Sequence, residues 1–381
     1  MKRFPAPELR LSEILEPDRN SFGVVRLAMA TAVLVSHSYF FVWGTTTAEP
    51  LHGITGHSLG EHAVQVFFFL SGVLVMQSFT KSGCWIDFAA ARALRIFPGL
   101  IVCVLLTALV LGPQVSALPT GQYFLASALP QYIAKTLLLI TGSAPLPGVF
   151  ADNPAASLVN MSLWTLKYEV MCYLALGLIC ATGVLTGRHR HLATLALAIF
   201  VAGVFLDQPQ PVEAYTAAAN VRYFALYFGM GVLACQLREQ LVIKGSNVVF
   251  LLVLFIALLG TRWSELACAM FVGYATLYVA TFDFGRFGRT TQTTDVSFGL
   301  YIYAGPIQQA LVQLTPAISP LVLAVVAFVP TLAVAVVSWF VIEKPAMARR
   351  KSVIASLKRH AAQQRVNATR ETPVNGGQVP A

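Results

Sequence analysis

Arg26 and His37 lie within the first long apolar segment of the chain, Phe22–Phe41. Ionisable side chains in a membrane-spanning stretch are costly, so they mark a functional site or a buried pair. Eleven helical steps of about 100° bring both side chains to one helix face, about 16 Å apart along the axis. A neutral imidazole can accept the proton of an attacking hydroxyl group. We therefore expect His37 to be a catalytic base; a hydrogen bond to a neighbouring carbonyl is the structural alternative.

Glu169 is the acidic residue that could support this base. It lies in Ser162–Tyr173, about eight residues or 12 Å into a later apolar segment, and His37 lies about 9 Å from the outer end of its own segment. Both residues are therefore expected in the same outer layer of the membrane. A buried carboxylate can orient and stabilise an imidazole, so we predict a catalytic role for Glu169. A local pair with Lys167, or a structural bond to Tyr168 or to another helix, is the alternative.

Two further pairs of residues have the spacing of helix faces. Trp164 and Tyr168, four residues apart, form an aromatic face that is typical of a membrane-interface belt or of a platform for stacking a sugar. Arg92 and Arg95, three residues apart, place two guanidinium groups on one face, and Pro98 is expected to start the next apolar segment. Forked donors of this kind suit phosphate groups, although the arginine pair alone also fits a positively charged anchor at the cytoplasmic surface.

The elements that must position these residues are membrane helices. The chain is 56% hydrophobic and only 11% charged, with a mean hydropathy of +0.68, whereas soluble domains carry about 25% charged residues. The sequence therefore predicts an all-α, polytopic membrane helix bundle of about ten transmembrane helices. The predicted spans lie near residues 22–43, 62–80, 98–112, 161–182, 192–206, 221–237, 247–261, 265–281, 297–315 and 320–341.

The positive charges are unevenly distributed between the predicted connections. With the N-terminus in the cytoplasm, 21 of the 26 lysine and arginine residues fall on the cytoplasmic side. This predicts both termini in the cytoplasm, with a cytoplasmic segment at 1–21, a transmembrane domain at 22–345 and a basic, partly disordered tail at 346–381. We expect the tail to lie against anionic lipid; a solvated end without a function is the alternative. Because the basic residues are concentrated on the predicted cytoplasmic side of the membrane, the net charge of +9 does not indicate a nucleic-acid partner.

Neither the cysteines nor the loop histidines indicate a metal site. Cys-X-X-Cys spacing is absent, and all six cysteines except Cys84 fall in apolar segments. His52, His57 and His62 are loosely spaced around a predicted outer loop. We therefore expect no metal and no tightly bound cofactor.

Six motifs occur in order along the chain. They are Arg-x10-His at 26–37, Phe-Phe-Phe-Leu-Ser-Gly-Val-Leu at 67–74, Arg-x-x-Arg-Ile-x-Pro at 92–98, Ser-Leu-Trp-Thr-Leu-x-Tyr-Glu at 162–169, Ser-Phe-Gly-Leu-Tyr-Ile-Tyr at 297–303 and Ile-Glu-Lys-Pro at 342–345. Together they resemble the acyltransferase-3 family of membrane O-acyltransferases, and most closely its branch that acts on bacterial exopolysaccharides and related glycans. The chain lacks the Asp that many members carry shortly before the first arginine, and Ala304-Gly305-Pro306 stands where many carry a histidine.

The resemblance implies transfer of an acyl group, usually acetyl, from cytoplasmic acetyl-CoA to a sugar hydroxyl at the outer face of the bacterial inner membrane. It makes His37 the catalytic histidine and Arg26 its paired arginine, which stabilises charge or holds the CoA arm. It places Arg92 and Arg95 on the acyl-donor side and makes Glu169 the acidic residue of the Trp-containing motif. The implied partners are acyl-CoA, a glycan acceptor and polysaccharide-synthesis machinery, with the aromatic pair as candidate substrate-binding residues.

A transporter or flippase of a polar lipid or glycan is the rival interpretation, because polar residues in a two-sided helix bundle also fit it. The chain has no inverted repeat of the kind found in many transporters. The Arg92 and Arg95 pair on the predicted cytoplasmic side also favours a cytosolic acyl donor over a transported substrate.

Overall fold

The structure is a computed structural model that describes residues 8–82, 84–142, 144–185, 187–206, 216–356 and 359. The first seven residues and most of the predicted disordered tail lie outside the described residues. Within the described part, the chain is a helix bundle with a single pair of two-residue strands, so the all-α prediction is confirmed. The ten main helices are α1 (Phe22–Trp43), α2 (Leu59–Ser82), α3 (Trp85–Leu106), α4 (Leu166–Ala181), α5 (Arg190–Leu206), α6 (Ala217–Gln236), α7 (Gly245–Leu258), α8 (Ser264–Val279), α9 (Ser297–Leu314) and α10 (Pro320–Ser338).

Shorter elements extend or connect these helices. They are the α-helices Leu11–Ile14, His52–Thr55, Gly112–Val115, Thr120–Leu125, Ala128–Leu137, Gly285–Thr293 and Lys344–Ala348, the π-helices Thr107–Leu111 and Trp339–Glu343, the 3-10 helix Met161–Thr165, and the strands β1 (Leu9–Arg10) and β2 (Val242–Ile243). The antiparallel pairing of β1 with β2 ties the N-terminal segment to the connection that follows α6.

The bundle is that of a multi-pass membrane protein. Among the described residues, six helical segments are long and apolar enough to cross a membrane: 22–43, 59–81, 85–115, 161–181, 217–236 and 320–356. The helices α5, α7 and α8 are apolar but shorter. Each of the ten predicted apolar segments overlaps a main helix, whereas their number as complete spans stays a prediction.

The expectation that Pro98 starts a new segment is wrong. Pro98 lies inside α3, which begins at Trp85 and continues through the following π-helix to Val115 without interruption. At about 1.5 Å per residue, this 31-residue segment is longer than the roughly 30 Å hydrocarbon core. Arg92 and Arg95 therefore belong to the continuous helix and not to a connection between two helices.

Close contact between α2 and α6 forms the centre of one half of the bundle. A Cβ atom on Gly72 of α2 would lie 2.1 Å from the carbonyl oxygen of Phe228, and one on Gly231 of α6 would lie 2.0 Å from that of Phe69. Small residues of this kind let membrane helices approach backbone to backbone. The two glycines thus bring α2 close enough to α6 for their aromatic side chains to stack, as Phe68 does on Phe224.

The start of α1 is held by the segment before α9. A Cβ atom on Gly23 would lie 2.4 Å from the carbonyl oxygen of Thr291, and the hydroxyl of Ser21 donates to the carbonyl of Phe282. This close approach places the connection that contains Asp295 beside the first turns of α1.

Candidate active site

A cavity of about 420 Å³, here called the arginine cavity, lies between α1, α2, α3, α4 and α9. Its charged wall residues are Arg26, Arg92, Arg95, Arg350, Glu169 and Asp295, and its aromatic wall residues are Phe67, Phe68, Tyr173, Phe298 and Tyr301. The structure thus brings together four residues that the sequence singled out, namely Glu169 and the three arginines of α1 and α3.

Asp295 joins two of these arginines. Its Oδ2 atom lies 3.1 Å from Nη2 of Arg26 and 2.7 Å from Nη2 of Arg95, and Ser297 donates its hydroxyl and its backbone N–H to Oδ1. The Oε2 atom of Glu343 lies 3.4 Å from Nη1 of Arg95. Burial alone would raise the pKa of Asp295, but the two guanidinium groups outweigh it and lower that pKa to about 2. Arg26 and Arg95 are therefore fixed by carboxylates.

Arg92 and Arg350 differ from the other two arginines, because neither has a carboxylate partner among the described residues. The guanidinium of Arg92 lies 5.9 Å from the ring centroid of Tyr173, and its buried Nε atom has no hydrogen-bond partner in the described part of the chain. Arg350 donates to the carbonyl of Asp87 over 3.4 Å. These two side chains are the cations of the arginine cavity that an anionic ligand could pair with.

Glu169 also lines the arginine cavity. Its Oε1 atom accepts hydrogen bonds from the hydroxyl of Tyr173 and, over 3.4 Å, from that of Ser71. These bonds hold the carboxylate toward the arginines and not toward His37. The expected pairing of Glu169 with the imidazole is therefore not seen, because the side chain of Glu169 turns into the cavity from the first turn of α4.

His37 does not line the arginine cavity. It lies three turns farther along α1, 8% exposed, with its ring edge-on to Phe41 at a centroid distance of 6.0 Å. Its Nδ1 atom is buried and has no hydrogen-bond partner among the described residues. On the neighbouring turns, Gln308 of α9 donates to the carbonyl of Leu34 and to the hydroxyl of Ser38, at 2.7 and 2.6 Å. The helix α1 thus connects the arginine cavity to a buried histidine with an unpaired ring nitrogen.

Trp164 and Tyr168 line a second cavity of about 390 Å³, here called the aromatic cavity. Its wall is completed by Thr141, Gly142, Leu158, Met161, Lys167, Ala217 and Asn220. The rings of Trp164 and Tyr168 meet edge to face at 5.8 Å, and the amide of Asn220 donates to the Tyr168 hydroxyl over 3.3 Å. The two cavities lie on different faces of one segment, because Thr165 and Glu169 line the arginine cavity.

Three residues of the arginine cavity and its ion pairs were missed by the sequence analysis: Asp295, Glu343 and Arg350. Asp295 stands two residues before the Ser297–Tyr303 motif, and Glu343 lies inside the Ile-Glu-Lys-Pro motif. An acidic residue beside or within an apolar segment was the available signal for both. Arg350 belongs to a run of three basic residues, and nothing in the sequence distinguishes the one that faces the cavity.

A separate buried polar cluster joins α2, α6 and α8, and its members line neither cavity. The Nε2 atom of His57 lies 2.8 Å from Oε2 of Glu265, its Nδ1 atom lies 3.7 Å from Oε1 of Glu61, and Tyr227 donates to Oε1 of Glu265 at 2.7 Å. Burial alone would lower the pKa of His57, but the two carboxylates reverse that effect and raise it to about 10. His57 is therefore a charged structural link between helices at neutral pH.

Comparison with known proteins identifies the family of the chain. The sequence matches the acyltransferase domain of the acyltransferase-3 type over residues 19–340. It is 28% identical over 304 residues to an O-acetyl transferase of Shigella phage Sf6, covering 77% of this chain and 86% of that protein. It is also 27% identical over 370 residues to nodulation protein 10 of Rhizobium leguminosarum bv. viciae, covering 88% and 95%. No solved structure matches the chain.

Proposed function

Because the chain belongs to the acyltransferase-3 family and is a membrane O-acyltransferase, we propose that it moves an acetyl group from cytoplasmic acetyl-CoA to a glycan hydroxyl. The acceptor is an exported or surface polysaccharide, or its lipid-linked precursor. No tightly bound cofactor takes part; acyl-CoA is a substrate.

The arginine cavity is the observation that carries this proposal. It offers two arginines, Arg92 and Arg350, that have no carboxylate partner in the part of the chain that the structure describes, next to a mostly apolar and aromatic wall. Unpaired guanidinium groups suit the phosphates of CoA, and the apolar wall suits the pantetheine arm. Arg26 and Arg95, which Asp295 fixes, shape the cavity around the arm.

His37 is the proposed base. Its imidazole takes the proton of the acceptor hydroxyl as that oxygen attacks the thioester carbon, the C–S bond breaks, and CoA leaves as a thiolate that regains the proton. In the ping-pong variant, the imidazole nitrogen attacks the thioester carbon, the C–S bond breaks, and CoA leaves as a thiolate. The acceptor hydroxyl then attacks the acyl-histidine, the C–N bond breaks, and the hydroxyl proton returns to the CoA thiolate. The Nδ1 atom of His37 has no hydrogen-bond partner within the described ranges, which supports a role for this ring beyond packing. In both routes Glu169 acts in the arginine cavity, where Tyr173 and Ser71 donate hydrogen bonds to its carboxylate.

The proposed location is the bacterial inner membrane with both termini in the cytoplasm. Two contacts support a common side for distant parts of the chain. The strand β1 pairs with β2 after α6, and Arg350 after α10 lines the same cavity as Arg26. Reporter fusions at the C-terminus and after α4 test this orientation. Both reporters should lie in the cytoplasm, and a C-terminus in the periplasm would contradict the orientation.

Transfer of radiolabelled acetyl from acetyl-CoA to the host's extracellular glycan tests the proposed function. We expect label with the wild-type protein, none with His37→Ala, and wild-type label with His191→Ala, which changes an exposed histidine. Wild-type rates from purified His37→Ala would refute both catalytic routes. Absence of label with every form, together with impaired glycan export on deletion, would favour the transporter interpretation.

A further inference from the structure

The aromatic cavity has the composition of a sugar site with one positive charge. Its wall combines two aromatic rings, a side-chain amide, a hydroxyl and one lysine, and none of its nine wall residues is acidic. Aromatic faces pack against sugar rings, and amide and hydroxyl groups orient the sugar hydroxyls. Binding a neutral sugar does not require a cation that lacks an acidic partner among the described residues.

Lys167 is that cation. Its Nζ atom lies 4.7 Å from the ring centroid of Tyr168, and it has no carboxylate partner among the described residues. The side chain is half-buried. A cation over an aromatic face is weakly stabilised, but an opposite charge stabilises a partly desolvated ammonium more strongly. The site is thus complementary to a sugar that carries an anionic group.

Lys167 lies on the side of its segment that faces the aromatic cavity. Met161, Trp164, Lys167 and Tyr168 line the aromatic cavity, whereas Thr165 on the same segment lines the arginine cavity. Lys167 therefore faces away from the proposed donor, and its charge can act on the acceptor without contributing to CoA binding.

We infer that the aromatic cavity binds the acceptor glycan and that Lys167 selects a sugar unit carrying a carboxylate or phosphate group. This inference rests on the proposed acyl transfer and adds to it the chemical class of the acceptor. The ring of Trp164 provides the stacking surface, and Asn220 fixes the hydroxyl of Tyr168 at the edge of the site.

The test uses oligosaccharides released from the host's extracellular glycan and freed of existing acyl groups by mild alkali. The acidic pool is compared with the same pool after carboxyl reduction and after phosphatase treatment, which separates the two possible anionic groups. Purified full-length protein and labelled acetyl-CoA give KM and kcat for each pool. The variants are Lys167→Gln, Lys167→Arg, and Lys135→Gln as a control on an exposed lysine outside both cavities.

We expect one of the two treatments to raise the wild-type acceptor KM about tenfold, which corresponds to about 1.4 kcal/mol. Lys167→Gln should raise the acceptor KM for the untreated pool by a similar factor. The treated and untreated pools should then have the same acceptor KM. Lys167→Arg should keep most of the wild-type difference in acceptor KM between the pools, and Lys135→Gln should match the wild type. The KM for acetyl-CoA should not change in any variant.

The results that would overturn the inference are distinct from failure of the proposed function. Equal wild-type KM values for treated and untreated pools would refute selection by charge while leaving acyl transfer intact. An equal effect of Lys167→Gln on all pools would show that Lys167 is structural, and a raised KM for acetyl-CoA would show that it acts on the donor; either result would refute selection of the acceptor by its charge. Absence of wild-type transfer to every pool would refute the proposed function and this inference with it.

Discussion

Replacing Asp295 by Asn removes the charge that holds two arginines of the arginine cavity while keeping the shape of the side chain. The Asp295 side chain is 13% exposed, and Arg26 has no other carboxylate partner among the described residues. A fall in the pKa of Asp295 from 3.8 to about 2 corresponds to about 2 kcal/mol of stabilisation, because one pKa unit is worth about 1.4 kcal/mol. Fully buried pairs lose about 3–5 kcal/mol when one partner is removed. The loss here should lie toward the lower figure, because the two arginines are 25% and 22% exposed.

The sign of the pH dependence follows from the direction of this change. Because folding lowers the pKa of Asp295, its stabilisation is present above about pH 4 and is lost as the pH falls toward 2. Asp295→Asn should therefore be about 2 kcal/mol less stable than the wild type at pH 7, with the difference shrinking below pH 4.

Denaturant titration of the purified proteins in detergent measures this difference, with Asp152→Asn as the control on an exposed aspartate. The Asp295→Asn variant should also bind acetyl-CoA more weakly, because Arg26 is no longer fixed. Equal stability of Asp295→Asn and wild type at pH 7, or an equal loss in Asp152→Asn, would refute the assignment of Asp295 as the charge partner of both arginines.

Three further predictions follow from the same structure. Arg92→Gln should raise the KM for acetyl-CoA with little loss of stability. Arg95→Gln should lower the stability, because it leaves the carboxylates of Asp295 and Glu343 near each other without the guanidinium that pairs with both. Equal effects of the two variants on the KM and on the free energy of unfolding would contradict this division. Gly72→Ala should destabilise the protein by about 1–3 kcal/mol, because its Cβ would lie 2.1 Å from a carbonyl oxygen of α6, whereas Gly53→Ala, with open space around it, should unfold like the wild type. His57→Gln should lower the stability most below about pH 6.5, because folding raises the pKa of His57. The difference from the wild type should vanish as the pH rises through about 10. A difference in unfolding free energy that does not depend on pH would contradict this prediction.

The helices were predictable from the sequence because their apolar segments are long, whereas the partners of the polar residues were not. Depth counted from the end of a segment placed Glu169 level with His37, but depth does not give the direction in which a side chain points. In the structure, Tyr173, one turn farther along α4, turns Glu169 toward the arginines. No spacing in the sequence encodes a contact of that kind between Asp295 and Arg26, which are separated by most of the chain.

The misplaced start of a segment at Pro98 has the same cause. Arg92 and Arg95 gave their part of α3 the composition of a polar connection, which favoured a break before the next apolar run. Asp295 and Glu343 balance the charge of Arg95 inside the bundle, so the helix continues through this region. A charge that looks unpaired along the sequence was paired by residues about 200 and 248 positions away.

The arrangement of the two cavities limits how the proposed substrates can meet. The segment from Met161 to Glu169 separates them, and the hydroxyls of Thr165 and Tyr301 are hydrogen-bonded at 2.7 Å on its arginine-cavity side. With acetyl-CoA on one face and the glycan on the other, only the thioester end of the donor needs to pass this segment. In the proposed reaction the phosphates stay with Arg92 and Arg350, which keeps the charged part of CoA out of the apolar centre of the bundle. In this proposal the arginines bind the donor and His37 acts on the acceptor hydroxyl, so the proposed base need not line the cavity that holds the arginines.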